Sequence, residues 1–218
     1  MPRIARVVAP GIPHHVTQRG NRRQTTFFRN GDYRFYLATL GQSCRRWGVG
    51  IWSYCLMPNH VHLVLVPADE EALTRAVGET HRKYTWTVNR REGWRGCLWQ
   101  GRYFSYPMDE RHLLIATRYL LLNPVRAGLV EDPRNWHYSS AACHFRSLSD
   151  GVVDVAPLAA RVSDWAAFVA SGTSDDELDE VRWHQRSGRP LGDDGFIRRL
   201  EADFGRELAP RRPRRRLG

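Results

Sequence analysis

Apolar side chains recur at helical spacing between residues 32 and 47, at Tyr33, Tyr36, Leu37, Leu40, Cys44 and Trp47, and Gly48 supplies a stop. The flanking segments follow a different pattern. Residues 13 to 20, Pro-His-His-Val-Thr-Gln-Arg-Gly, are short and bounded by proline and glycine, which predicts a strand. Val49 to Leu56 and His60 to Val66 are apolar and β-branched around the turn Met57-Pro58-Asn59, so they are expected to pair as an antiparallel hairpin. Helical spacing returns from Asp69 to Asn89, with Leu73, Ala76, Val77, Thr80, Tyr84 and Val88 as the buried stripe. A fourth strand is predicted over Leu98 to Tyr106, ahead of Pro107. Asp109 then caps a helix running through Leu122 and closed by Asn123-Pro124. The order β-α-β-β-α-β plus one helix predicts an α+β fold of the ferredoxin-like, split βαβ kind. Its four-stranded antiparallel sheet carries the two helices on one face.

Beyond Ser140 the periodicity weakens. Residues 151 to 170 suit one or two short helices around Trp165, and the acidic run 175 to 180 suits a solvated helix start or a linker. Gly188 to Gly192 reads as a turn, and Asp193 to Gly205 as an amphipathic helix. Two units are expected: a domain over residues 1–145, and a helical extension over 146–218 that ends in a basic tail.

Charge narrows the partner. The 218 residues hold 33 Lys and Arg against 23 acids, a net charge of +10, and Lys83 is the one lysine. Arg3, Arg6, Arg19, Arg22, Arg23 and Arg29 all precede the first acid, Asp32. Arg211, Arg212, Arg214, Arg215 and Arg216 crowd the other end. Arginine's planar fork suits phosphate, so a polyanion, and nucleic acid foremost, is the expected partner. No apolar run approaches the length of a membrane span or a signal peptide, which predicts a cytoplasmic, nucleoid-associated protein without a membrane partner. Cys44, Cys55, Cys97 and Cys143 are too scattered for a zinc ribbon or a disulfide scaffold.

Two constellations could carry chemistry. His60 and His62 alternate along one strand, so they project from the same face as half of a divalent-metal site, or as a plain pair of polar-face histidines. Tyr119 and Asn123 are spaced i, i+4: a phenol that can act as a nucleophile and an amide that can ligate a hard cation, or a core aromatic and a helix-end residue. Trp99, Arg102 and Tyr103 place rings beside a guanidinium, a combination suited to unpaired bases, and Arg19, Arg22 and Arg23 could grip phosphates. The tail arginines would add non-specific, salt-sensitive affinity.

Four ordered blocks make the chain resemble a REP-associated tyrosine transposase of the HUH single-strand transposase group. They are His14-His15-Val16-Thr17-Gln18-Arg19-Gly20-Asn21, Met57-Pro58-Asn59-His60-Val61-His62-Leu63, Leu98-Trp99-Gln100-Gly101-Arg102-Tyr103, and Arg118-Tyr119-Leu120 through Asn123-Pro124-Val125-Arg126-Ala127-Gly128-Leu129-Val130. The resemblance covers roughly residues 3 to 145. It implies His60 and His62 as ligands of Mg²⁺ or Mn²⁺, Asn123 as the third ligand and Tyr119 as the nucleophile. It also implies single-stranded or hairpin DNA as substrate, cut and rejoined through a 5′-phosphotyrosine by a monomer or a homodimer. Leu121-Leu122 ahead of Asn123 is a departure from that pattern. The competing expectation is a non-catalytic relative that binds structured DNA as a regulator. An RNA-recognition domain shares the sheet topology, but His60 to Val66 lacks its stacking aromatics. A zinc hydrolase lacks a third ligand at convincing spacing.

Overall fold

The computed structural model describes residues 4–209, so the arginines from 211 onward lie outside the described residues. The strands are β1 (His14–Arg19), β2 (Val49–Met57), β3 (His60–Pro67) and β4 (Phe104–Pro107). Between them run α1 (Asn30–Arg46) and α2 (Ala72–Glu92), followed by α3 (Glu110–Leu121). The sheet order is β2-β3-β1-β4 with every neighbouring pair antiparallel, as the split βαβ arrangement requires.

Period-two alternation sorts β3 onto two faces. Val61, Leu63 and Leu65 meet Val16, Tyr36, Leu40, Leu73 and Tyr84 in the core beneath α1 and α2. Val64 faces the other way and packs with Cys55, Tyr106, Leu113, Ala116 and Leu120 under α3. His60 and His62 share Val64's parity, so they point toward the helix that carries Tyr119.

The fourth strand is shorter than its sequence suggests. The regular ladder with β1 covers only Phe104 to Pro107; further on, Gln100 N donates to Arg19 O and Asn21 N to Leu98 O, an isolated bridge at which Leu98 and Trp99 turn their side chains into the core. The reason is local: Gly101 adopts a left-handed φ of 64° and bonds back to Trp99 O, so the ladder is interrupted there.

The later chain forms α4 (Asn123–Arg126), α5 (Ala141–Arg146), α6 (Ala156–Ala159), α7 (Trp165–Ala170), α8 (Asp175–Ser187) and α9 (Asp194–Phe204). Packing does not change at residue 145. Leu158, Val162, Trp165 and Leu191 fill the cluster under α3, and Phe196, Ile197 and Leu200 cover Val7 and Ala9. The acidic start of α8 closes a capping box between Ser174 and Glu177, and Glu177 also accepts two bonds from Arg118 of α3. No helix among the described residues is long and apolar enough to cross a membrane.

Candidate active site

His60 opens β3 directly after the Pro58-Asn59 turn, and His62 follows two residues later on the same face. Their rings are 4.9 Å apart, centroid to centroid, and both line a cavity of about 140 Å³ with Thr17, Arg19 and Gln185. Each ring is held through Nδ1. His60 Nδ1 is 2.6 Å from Asn59 Oδ1, and Asn59 Nδ2 in turn donates to Arg23 O. His62 Nδ1 is 3.0 Å from His15 Nε2, and His15 Nδ1 is 2.7 Å from the Tyr106 hydroxyl. Burial holds His60 down at about 3 and His15 at about 3, and also lowers His62, where neighbouring His60, His15, Arg126 and Arg19 add to the effect. All three imidazoles are therefore neutral near pH 7.

That pattern suits a metal ligand. A neutral imidazole whose Nδ1–H is engaged presents the Nε2 lone pair, as a divalent cation needs. Asn59 Oδ1 can only accept, which fixes that tautomer for His60. Asn123, the third ligand that the resemblance implies, begins α4 one residue past Leu122 with its buried Nδ2 lacking a partner, and it is not among the residues lining the histidine cavity. A half-turn of that amide puts an oxygen where the unsatisfied nitrogen lies. Among the described residues, no group of three or more His, Cys, Asp or Glu side chains could hold a metal, so a third protein ligand would be of another kind.

Tyr119 lies on the face of α3 that meets the sheet. Its ring is 5.5 Å from that of His62 and 6.2 Å from that of His15. The Arg126 guanidinium sits 4.3 Å from the ring centroid and donates to Tyr119 O, which places a positive charge beside the phenol. Val181 of α8 packs against Tyr119 and Ile115, leaving Tyr119 7% exposed. Of the two leucines that depart from the family pattern, Leu121 is fully buried in the α3 cluster and Leu122 is half-buried.

The expected DNA contacts divide. Arg19, Arg22, Arg23 and Arg102 are exposed, and Arg19 lines the histidine cleft. Arg22 and Arg23 occupy a turn with left-handed φ values of 53° and 61°. Gly20 permits this turn, because a Cβ there would lie 2.3 Å from Gln24 O. Trp99 and Tyr103 are core side chains at 5% exposure: Trp99 packs against His81, and Arg6 covers the Tyr103 ring at 3.7 Å. Neither ring offers a face to a base, and the stacking role expected of them does not carry forward.

Sequence reasoning did not single out His15, Asn59, Tyr106 or Arg126. His15 stood inside a quoted block, but only the β1–β3 register, with His15 opposite Val64 and Thr17 opposite His62, brings its ring to His62.

Comparison with known proteins gives consistent results. The profile of the family described as transposase IS200-like matches residues 10–121. A Haemophilus influenzae protein that carries the name REP-associated tyrosine transposase is 24% identical over 110 residues, 45% of this chain and 62% of that one. The chain thus spans under two thirds of that relative's length. A solved REP-associated tyrosine transposase bound to a REP hairpin superposes with a TM-score of 0.59 at 19% identity, covering 71% of this chain and 93% of that one, a likeness of fold. A crystal structure named as a transposase from Deinococcus radiodurans gives a TM-score of 0.39 at 17% identity over 54% of this chain and 95% of that one.

Proposed function

The chain belongs to the IS200-like transposase family, a family of DNA-processing enzymes, and from that premise we propose that it cuts and rejoins single-stranded DNA at hairpin-forming repeats through Tyr119. The observation that carries this reading is the approach of the Tyr119 ring to within 5.5 Å of His62, beside two neutral histidines open to one cleft. In this mechanism Tyr119 Oη gives up its proton and attacks a backbone phosphorus. The P–O3′ bond breaks, the 3′ oxygen leaves as a hydroxyl, and the 5′ phosphate stays on the tyrosine. Rejoining reverses these roles: a 3′-hydroxyl attacks the phosphotyrosine and expels the phenol. One phosphodiester is exchanged for another, so no external energy source is required.

Mg²⁺ or Mn²⁺ held by His60, His62 and Asn123 would neutralise a non-bridging phosphate oxygen. The remaining work falls to the protein. Asn59 and His15 keep the two imidazoles aimed, Arg126 places positive charge beside the phenol, and Arg19, Arg22 and Arg23 form a basic rim for the strand.

The test is an incubation of protein and Mg²⁺ or Mn²⁺ with single-stranded oligonucleotides carrying hairpin-forming sequences taken from beside the gene. The expected product is a denaturation-resistant adduct on the 3′ fragment, with a free 3′-hydroxyl on the 5′ fragment. Tyr119→Phe should bind the hairpin within about twofold of wild type and form no adduct. Tight hairpin binding by wild type without cleavage in either metal would instead favour the regulatory binder.

A further inference from the structure

Phe28, Phe35, Trp86 and Trp94 are the four exposed aromatic residues among the described residues, at 41%, 39%, 60% and 45%. All four lie where α1 begins or α2 ends. The α1–α2 packing does not need them, because Tyr33, Tyr36, Leu40, Tyr84 and Val88 already fill that core. Large rings left in water mark a binding face.

Arginine is interleaved with the rings. Trp94 packs edge-on against Phe28 at 5.4 Å, and the Arg91 guanidinium lies 5.9 Å from the Phe28 centroid. Arg90 sits 5.2 Å from the Trp86 centroid, while Arg29 and Arg95 adjoin Phe28 and Trp94 in the chain. The nearby carboxylates Asp32 and Glu92 are both bonded by Arg91, so the surface keeps a positive excess.

The patch also adjoins the histidine cleft. Thr26 N and Phe27 N both donate to Pro58 O, in the turn that leads into Asn59 and His60. Phe28 is the next residue outward. A strand leaving the cleft past Arg22 and Arg23 would therefore meet the touching pair Phe28 and Trp94, with Trp86 further back on α2.

We propose that this surface binds unpaired nucleotides of the DNA strand next to the cleavage site, with bases stacked on Phe28, Trp94 and Trp86 and phosphates held by the interleaved arginines. Aromatic faces bordered by guanidinium groups are the chemistry of sequence-tolerant single-strand binding. A second copy of this chain meeting it through the same face would bring equal positive charge and be repelled. The proposal rests on the single-strand reading of the active site, but it can be tested apart from cleavage.

The experiment measures equilibrium binding by fluorescence anisotropy in EDTA, with the Tyr119→Phe protein as reference. One probe is a labelled hairpin with an unpaired oligothymidine flank, and the other is the same hairpin cut flush. Adding Trp86→Ala and Trp94→Ala should weaken the flanked probe roughly tenfold or more and the flush probe less than twofold. Trp94→Phe in place of Trp94→Ala should restore much of the loss, since it returns a stacking face. The four positions are exposed, so thermal midpoints should hold. Equal losses on both probes, or no loss, would overturn the proposal. So would a wild-type dimer in sedimentation that the double variant abolishes. A wild type that makes no adduct, together with the flank-dependent loss in the tryptophan variants, would leave the stacking surface standing and defeat the cleavage reading alone.

Discussion

His15 shows how much one buried side chain can decide. It is fully buried, and its two nitrogens connect the Tyr106 hydroxyl to His62 Nδ1. If His62 is to offer Nε2 to a cation, Nδ1 carries the hydrogen and donates to His15 Nε2. His15 Nδ1 then holds the second hydrogen and donates to Tyr106 Oη. Each tautomer follows from the one before, so Tyr106 helps fix the ligand without touching the metal. Removing its hydroxyl leaves a buried Nδ1–H without an acceptor and frees the chain to relax. Tyr106→Phe should therefore keep the fold but weaken Mn²⁺ binding about tenfold in calorimetric titration, the scale seen when a ligand's outer partner is lost. Nitrogen NMR should show a mixed His62 tautomer in the variant and a single one in wild type. Unchanged affinity with a single tautomer would mean that packing alone orients His62.

Among the elements, α3 was the most legible. Asp109 was expected as its cap, and its carboxylate does accept from His112 N while also holding His112 Nδ1 and Asp193 N. One side chain thus ties the start of the tyrosine helix to the start of α9. Asp109→Ala should cost about 1–2 kcal/mol of stability in a denaturant titration, and Asp109→Asn less, because the amide oxygen still caps. Helix periodicity, the β2–β3 hairpin and the shared face of His60 and His62 were readable because each depends on neighbours in sequence. Other features depend on register or on distant packing. The His15–His62 contact needs β1 set beside β3, and the cover over Tyr119 needs Val181, sixty-two residues away along the chain. Trp99 and Tyr103 misled for a related reason: a ring beside an arginine has the same local pattern whether it faces solvent or core. The exposed rings at Phe28 and Trp94 could be recognised only once their helices were packed.

Across the whole molecule, buried neutral histidines set the response to acid. Four of them lie outside the candidate site: His14 in β1, His81 in α2, His144 in α5 and His184 in α8. Burial is the main cause in each, lowering His81 to about 3 and the other three to about 4. An unfolded chain takes up these protons near pH 6.5, whereas the folded chain resists until far lower pH. The contribution to stability is therefore complete above about pH 6.5 and declines as pH falls toward 4, by roughly 1.4 kcal/mol per pH unit for each histidine. Four acting together change stability by roughly 5–6 kcal/mol per unit, comparable to the whole stability of an ordinary domain. The metal-free protein should hold its denaturation midpoint from pH 7.5 to 6.5 and unfold cooperatively near pH 5. His144 provides the control, because it stacks on Trp165 at 4.5 Å. His144→Phe keeps the stacking and removes a proton site, so the pH slope should fall by about a quarter of this four-histidine contribution while neutral-pH stability is kept. A midpoint that stays flat down to pH 4.5 would show that these rings take up protons as readily in the folded protein as in the unfolded chain.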